Sequence, residues 1–254
     1  MGRLLAVMAY HGWGFTAQCW QGWQSRFLAL GPCQWYSYDR GYWGDALPAT
    51  SGERPTPSFS TPDSQRILLT HSYGLHWGLA DGQASGWLTD IDLLVIFGGF
   101  QSFHPSEPKA QRRSQLVLRQ MLKQLELDPL TVLRQFYQNC DYPESLPDTR
   151  MPTLNHALLL RDLQALDQAQ LAVALLAQIP RIVIFQGLQD RIVPVTQAEQ
   201  LWQQVRLARG DGRRSCPSGA CRYIPLAGGH ALPFTHLDAC WSLLQPTLSA
   251  IRAV

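Results

Sequence analysis

The sequence predicts an α/β protein built on a mostly parallel central sheet, with helices on both faces and a helical insertion. Three observations predict it: short apolar runs ending in Gly-rich turns recur along the chain, helical stretches separate them, and one long helical block interrupts the alternation. A helix between two strands carries the chain back to the starting edge, so successive strands run parallel. With 254 residues, 46% of them hydrophobic, the chain can bury one large core.

Arg3–Tyr10 is a short apolar run ending in His11-Gly12-Trp13-Gly14, which reads as a buried strand entering a tight turn. Thr16–Phe27 has helical character and carries Trp20 and Trp23. Gln34–Tyr38 alternates aromatic and polar residues, as a strand does, and runs into the loop DRGYWGD. Residues 46–65 are rich in Pro, Ser and Thr and read as an irregular loop. Arg66–Thr70 is the next strand, followed at once by HSYGLHWGLA, which starts a helix. Ile91–Phe97 is another strand, closed by Gly98-Gly99. From about Pro105 to Ile179 only helical patterns occur, at Gln111–Leu127, Leu130–Cys140 and Leu154–Gln178. Strands resume at Arg181–Phe185 and Cys221–Ile224, with a helix at Thr196–Leu207 between them and a last helix to Val254. The expected division is a core of residues 1–104 and 180–254, with 105–179 inserted as a helical lid.

A formal net charge of +2 and a pI near 8.3 are too mild to argue for a nucleic-acid partner. No run approaches the roughly 18–20 apolar residues of a membrane span, so no membrane partner is expected. The N-terminus has a single Arg, a short apolar stretch and no small-residue cleavage site, which points to the cytoplasm. In that compartment the six cysteines are read as free thiols. Cys216 and Cys221 are close enough to bridge, but no partner pair stands at a zinc spacing, and neither metal nor cofactor is expected.

Parallel sheets place working residues on loops just past the strand ends. Ser72 follows the strand at 66–70, Asp190 follows the strand at 181–185 in GLQDRIVP, and His230 follows the last strand in Gly228-Gly229-His230. Serine, acid and base in that chain order match the nucleophile-elbow arrangement of hydrolases. In such a set Ser72 attacks, His230 moves the proton and Asp190 fixes the imidazole tautomer. The usual elbow reads G-x-S-x-G; here Gly74 is present but Thr70 holds the first position, and alone the segment is equally a helix N-cap. Asp211, in a Gly/Arg loop with no strand before it, is the weaker rival for the acid. Backbone N–H groups of Tyr73 and Trp13 are the candidate oxyanion donors.

With these residues in view, the chain resembles the α/β-hydrolase superfamily throughout its length. More narrowly it is similar to the pimeloyl-[acyl-carrier protein] methyl ester esterases of biotin synthesis. That match rests on HGWG followed by the helix bearing Trp20, on Ser72 in an elbow, on GLQDRIVP and GGHALPFTH, and on LDPLTVLRQFYQNC in the helical block. The resemblance implies attack by Ser72 on the methyl ester of a carrier-tethered pimeloyl chain, release of methanol, and hydrolysis of the acyl-enzyme by water. It implies that Trp13 and Phe136 line the acyl chain, with Tyr137 and Gln138 as further candidates. The elbow Thr70 and the long 207–221 segment depart from the family's pattern.

An acidic carrier protein asks for a basic docking face. Lys109, Arg112, Arg113, Arg119 and Lys123 lie in the helical block with no acidic residue between positions 108 and 125, and Arg134 follows. Arg112, Arg119 and Lys123 share a helical stripe, opposite Leu118, Leu122 and Leu125. A solvated helix face has the same pattern. Two other functions fit the same residues: a general short-chain carboxylesterase or thioesterase acting on small-molecule esters without a carrier protein, and a non-catalytic binding protein that uses the cavity for a ligand. A lyase or C–C hydrolase on the same scaffold also remains open, since fold does not fix function.

Overall fold

The computed structural model describes residues 3–44, 64–143, 154–210 and 221–252. Its centre is a six-stranded sheet in the order β2-β1-β3-β4-β5-β6. The strands are β1 (Leu5–Tyr10), β2 (Cys33–Tyr38), β3 (Gln65–His71), β4 (Leu93–Phe97), β5 (Arg181–Gly187) and β6 (Cys221–Leu226). All pairings between these strands are parallel, so the expected "mostly parallel" sheet is wholly parallel among the described residues. β1, β3, β4 and most of β5 are buried on both faces, which is why these runs are nearly all apolar rather than alternating.

Period-two alternation divides the core into two layers. Leu5, Val7, Ala9, Ile67, Leu69, Val95 and Phe97 face α1 (Gln21–Ala29) and the C-terminal helix α9 (Leu237–Arg252), packing with Trp23, Phe27, Trp241 and Leu244. Met8, Tyr10, Leu68, Leu94, Ile96 and Ile184 face the other way, toward α2 (Gly74–Ala84), α7 (Val195–Ala208) and the helices inserted between β4 and β5. A short α8 (Leu232–Thr235) precedes α9.

The insertion comprises α3 (Pro108–Leu127), α4 (Pro129–Asn139), α5 (His156–Leu166) and α6 (Val173–Ala177). Each of the first three starts on a side-chain cap: Glu107 accepts from the N–H groups of Lys109 and Ala110, Asp128 from that of Thr131, and Asn155 from that of Leu158. Pro at the first turn of α3 and α4 suits a position whose N–H would be unpaired anyway. The helix expected over Leu154–Gln178 is instead two helices. Between them Gln170 pairs with Ser102 and the Leu171 N–H donates to the Gln101 carbonyl at 2.9 Å. Tertiary pairing with the chain leaving β4 therefore overrides local helix preference. The helix expected from Thr16 likewise starts later, after a 3-10 turn at Ala17–Trp20 whose first N–H is held by Asp39 Oδ2 at 2.8 Å. Residues 46–63 of the loop read at 46–65, and most of the 207–221 segment, with Asp211, Arg213, Arg214 and Cys216, lie outside the described residues, whereas Gln65 already belongs to β3.

Candidate active site

β1 pairs with β2 on one side and β3 on the other, so the order of connection reverses there and leaves a crevice at the strand ends. Ser72 stands at that point, with φ of 54° and 6% exposure. A left-handed backbone at a non-glycine residue is strained, and here the rest of the turn holds it. Gly74 is required: a Cβ there would lie 2.3 Å from the Tyr10 carbonyl oxygen. The first position of the elbow tolerates Thr70 because its side chain is fully buried toward β4 and its hydroxyl donates to the Val95 carbonyl at 3.3 Å. Gly12 of the HGWG turn packs on the elbow, since a Cβ there would come 3.0 Å from Ser72 Cβ. The Gly12–Trp13 peptide therefore runs beside the serine, while Tyr73 leads into the N-terminus of α2. Neither the Trp13 nor the Tyr73 N–H donates to a backbone carbonyl among the described residues, which leaves both for an incoming anion.

His230 Nδ1 donates to Asp190 Oδ2 at 2.8 Å, and both side chains are completely buried. The other oxygen of Asp190 accepts from the N–H groups of Ile192 and Val193, each at 2.8 Å, and Gln186 Nε2 donates to Oδ2 at 3.2 Å. With Nδ1–H held in that hydrogen bond, the neutral tautomer of the imidazole carries its lone pair at Nε2. That nitrogen is buried and has no hydrogen-bond partner; the Ser72 hydroxyl does not close the bond in this conformation. The groups nevertheless converge. The Ser72 N–H donates to the Phe97 carbonyl at 2.9 Å, and the adjacent Gly98 lies against His230, where a Cβ would meet the ring at 3.2 Å. His71, beside the serine, donates from Nε2 to the His230 carbonyl at 3.0 Å, with the two rings 4.8 Å apart. Burial first, and then the neighbouring His230, press the His71 pKa well below the ordinary histidine range, so it serves as a neutral strut.

Ser72 opens into a cavity of about 980 Å³ beneath the inserted helices. Trp13 and Phe136 form part of its wall and meet edge to face with ring centroids 5.0 Å apart. Tyr137 and Gln138 are not brought to it: the Tyr137 hydroxyl donates to the Gly14 carbonyl at 2.6 Å, and Gln138 faces solvent. The reason is helical phase, because Val132, Gln135, Phe136 and Asn139 repeat at the spacing of one face of α4 and line the cavity together. Lys109, Arg112, Arg113, Arg119, Lys123 and Arg134 are all exposed on α3 and α4, and Arg113 and Lys123 also reach the cavity wall. Leu118 and Leu125 are buried and Leu122 half-buried, as the stripe requires. The sequence reading missed Arg191, which joins the wall next to Asp190.

It also missed a buried ion pair. Arg40 Nε and Nη2 donate to Asp162 Oδ2 and Oδ1 at 2.6 and 2.8 Å, and the Tyr42 hydroxyl donates to Oδ2 at 2.8 Å. Burial opposes the Arg40 charge, but the hydrogen bonds and charge of Asp162 outweigh it and hold the guanidinium pKa above its usual value. This pair and the bond from Trp13 Nε1 to the Leu159 carbonyl, at 2.9 Å, fasten α5 to the loops that flank the elbow. Only spacing of 122 residues links Arg40 to Asp162, so no local pattern advertises them. No group of three His, Cys, Asp or Glu among the described residues is arranged to hold a metal, and the described cysteines are free thiols. No described helix is long and apolar enough to cross a membrane.

Sheet order, elbow, and the positions of Asp190 and His230 define the α/β-hydrolase fold. Solved structures with this fold superpose over nearly the whole chain. An esterase from Exiguobacterium antarcticum matches with a TM-score of 0.65 at 16% identity, covering 99% of this chain and 93% of its own. The enol-lactonase from Burkholderia xenovorans LB400 gives 0.64 at 17% identity, with 98% and 92% covered. A hydrolase from Oleispira antarctica gives 0.63 at 13% identity, with 100% and 92% covered. No protein-family model and no curated protein sequence matches the chain.

Proposed function

We propose that the protein is a serine hydrolase of carboxylic esters, with Ser72 as nucleophile, His230 as general base and Asp190 as its orienting acid. The observation that carries this reading is the buried Asp190–His230 pair, whose Nε2 has no partner and whose ring packs against Gly98 and against His71, the neighbour of Ser72. Rotation of the serine hydroxyl toward Nε2 completes the relay, and catalytic hydrogen bonds commonly tighten only with substrate in place. Attack by Ser72 on the ester carbonyl places the developing charge near the Tyr73 and Trp13 N–H groups. His230 then gives its proton to the leaving alkoxide, and water cleaves the acyl-enzyme by the same route in reverse. A fluorophosphonate probe tests this directly: labelling of the wild type and none of Ser72→Ala is expected, and equal labelling of both overturns it.

The substrate reading is narrower. The apolar wall around Trp13 and Phe136 suits an acyl chain, and the exposed basic residues of α3 and α4 suit an acidic carrier presenting it. We therefore take the methyl ester of a pimeloyl chain on acyl-carrier protein, a cytoplasmic substrate of biotin synthesis, as the preferred substrate, with the inserted helices acting as lid. Turnover of free methyl pimelate with none of the tethered ester removes the carrier from this account. A general carboxylesterase is the second reading, favoured by Leu116 and Val117, which are 55% and 56% exposed on α3 and invite a free apolar ester. Under that reading, neutralising Arg112, Arg119 and Lys123 leaves kcat/KM unchanged.

A further inference from the structure

The inserted helices hold a second hydrogen-bonded serine, histidine and aspartate, and its serine lies on the wall of the same cavity. His104, in the segment joining β4 to α3, has a side chain only 3% exposed. Its Nε2 lies 3.0 Å from Asp167 Oδ1, just past α5, and its Nδ1 lies 2.8 Å from the Ser114 hydroxyl in the middle of α3. Because the Asp167 carboxylate accepts, the ring proton sits on Nε2 and Nδ1 is left as an acceptor. Ser114 must then donate its proton to Nδ1, and the lone pairs of its oxygen remain for a second partner. Ser114 forms part of the cavity wall, as Ser72 does. It is not a second nucleophile: its neighbouring N–H groups are spent inside a regular helix, and no oxyanion could be received there.

We infer that Ser114, oriented through His104 and Asp167, is a hydrogen-bond acceptor that reads a hydroxyl or amide N–H on the acyl chain of an ester held at Ser72. This rests on the esterase reading above. A serine free to rotate would accept or donate with equal ease, but this one cannot donate into the cavity without giving up its bond to Nδ1. The subsite therefore prefers O–H and N–H groups and disfavours a carbonyl at the same place, where two acceptors would face each other without a proton. Ser114 touches the chain; His104 and Asp167 act through it as positioning residues.

The test is a chain-length series of methyl esters whose far end is a methyl, a hydroxyl, a secondary amide or a ketone. At one length the hydroxyl or amide ester should show a KM roughly 3- to 10-fold below its methyl counterpart, the range expected for one net hydrogen bond, while the ketone ester gains nothing. That ratio should fall to about 1 in Ser114→Ala; in His104→Phe and Asp167→Leu the freed serine can also donate, so the ketone ester should gain as the hydroxyl ester does, while Asp167→Asn, whose amide oxygen still accepts from Nε2, should keep the wild-type pattern. A merely structural role would change all esters alike and leave the ratio as it was. Preference for the amide identifies a peptide-like tether as the source of the donor, and preference for the hydroxyl identifies a hydroxyacyl chain. An unchanged ratio in Ser114→Ala, or a ketone ester bound by the wild type as well as the hydroxyl ester is, overturns the proposal. If no ester is turned over, the esterase reading has failed by itself. Calorimetric binding of the hydroxyl and methyl esters to Ser72→Ala then still decides the subsite on the same ratio.

Discussion

At Ser72 the backbone is left-handed, the aspartate–histidine contact is sealed from solvent, and the histidine's second nitrogen waits without a partner. At Ser114 the backbone is helical, the serine already holds its histidine, and the aspartate side chain is 38% exposed. The two sets use the same residue types, and Ser114 has the tighter resting contacts. What separates them is the surroundings. The elbow adds N–H groups with no backbone partner, a strained turn that projects the side chain, and a histidine nitrogen without a partner. The helix adds none of these, and its serine is fitted to bind rather than to attack. A hydrogen-bonded triad is therefore not by itself a sign of nucleophilic catalysis.

The sharpest break between the sets comes from their serines. Ser72→Ala should lower kcat for a simple ester about 10⁴-fold or more and abolish fluorophosphonate labelling, whereas Ser114→Ala should still be labelled. Their acids come next. Asp190→Asn should cost roughly 10³- to 10⁴-fold in kcat by stabilising the wrong tautomer of His230, whereas Asp167→Asn, which keeps an acceptor for His104 Nε2, should leave both kcat and the KM ratios close to those of the wild type. If both changes lower kcat equally, the distinction drawn between the sets is wrong.

A smaller effect concerns how the helical block is held over both. Asp162→Ala strands the Arg40 charge in a mostly buried place and should destabilise the protein by about 3–5 kcal/mol in urea unfolding. The double change Arg40→Met with Asp162→Leu should recover most of that loss, since no lone charge then remains.

The smallest effect is a pH dependence of stability outside either set. Burial holds His76 at a pKa of about 4 while its Nε2 donates to the Phe100 carbonyl, and His71 is likewise lowered. The unfolded chain takes up these protons near pH 6.5 and the folded one only at lower pH. Stability is thus complete above pH 6.5 and falls as the pH drops toward 4, by about 1–3 kcal/mol for His76. Melting temperature followed from pH 7 to pH 4.5 should decline less in His76→Gln than in the wild type.

Much of the core was legible along the chain because β1, β3, β4 and β5 are apolar runs with turn residues directly after them. Ser72, Asp190 and His230 were legible for the same reason: each stands just past a strand, where parallel sheets collect side chains. Phe136 and Trp13 were legible from motif likeness. Tyr137 and Gln138 could have been set aside by helical phase, given Phe136. The Leu154–Gln178 helix was misread because the chain there breaks to pair with Gln101 and Ser102, a partner more than sixty residues away in sequence.

By itself the sequence determined strand identity, the largely apolar character of the central strands, the chain order of serine, acid and base, and the basic surface of α3. These are local properties, set by periodicity and by what must follow a strand. Only the tertiary structure decided how Thr70 is accommodated, that His230 Nε2 is left free, that Arg40 closes on Asp162, and that Ser114, His104 and Asp167 meet. Each of those depends on side chains that are distant in sequence arriving within hydrogen-bond reach, and loop closure over such lengths leaves no trace in local pattern.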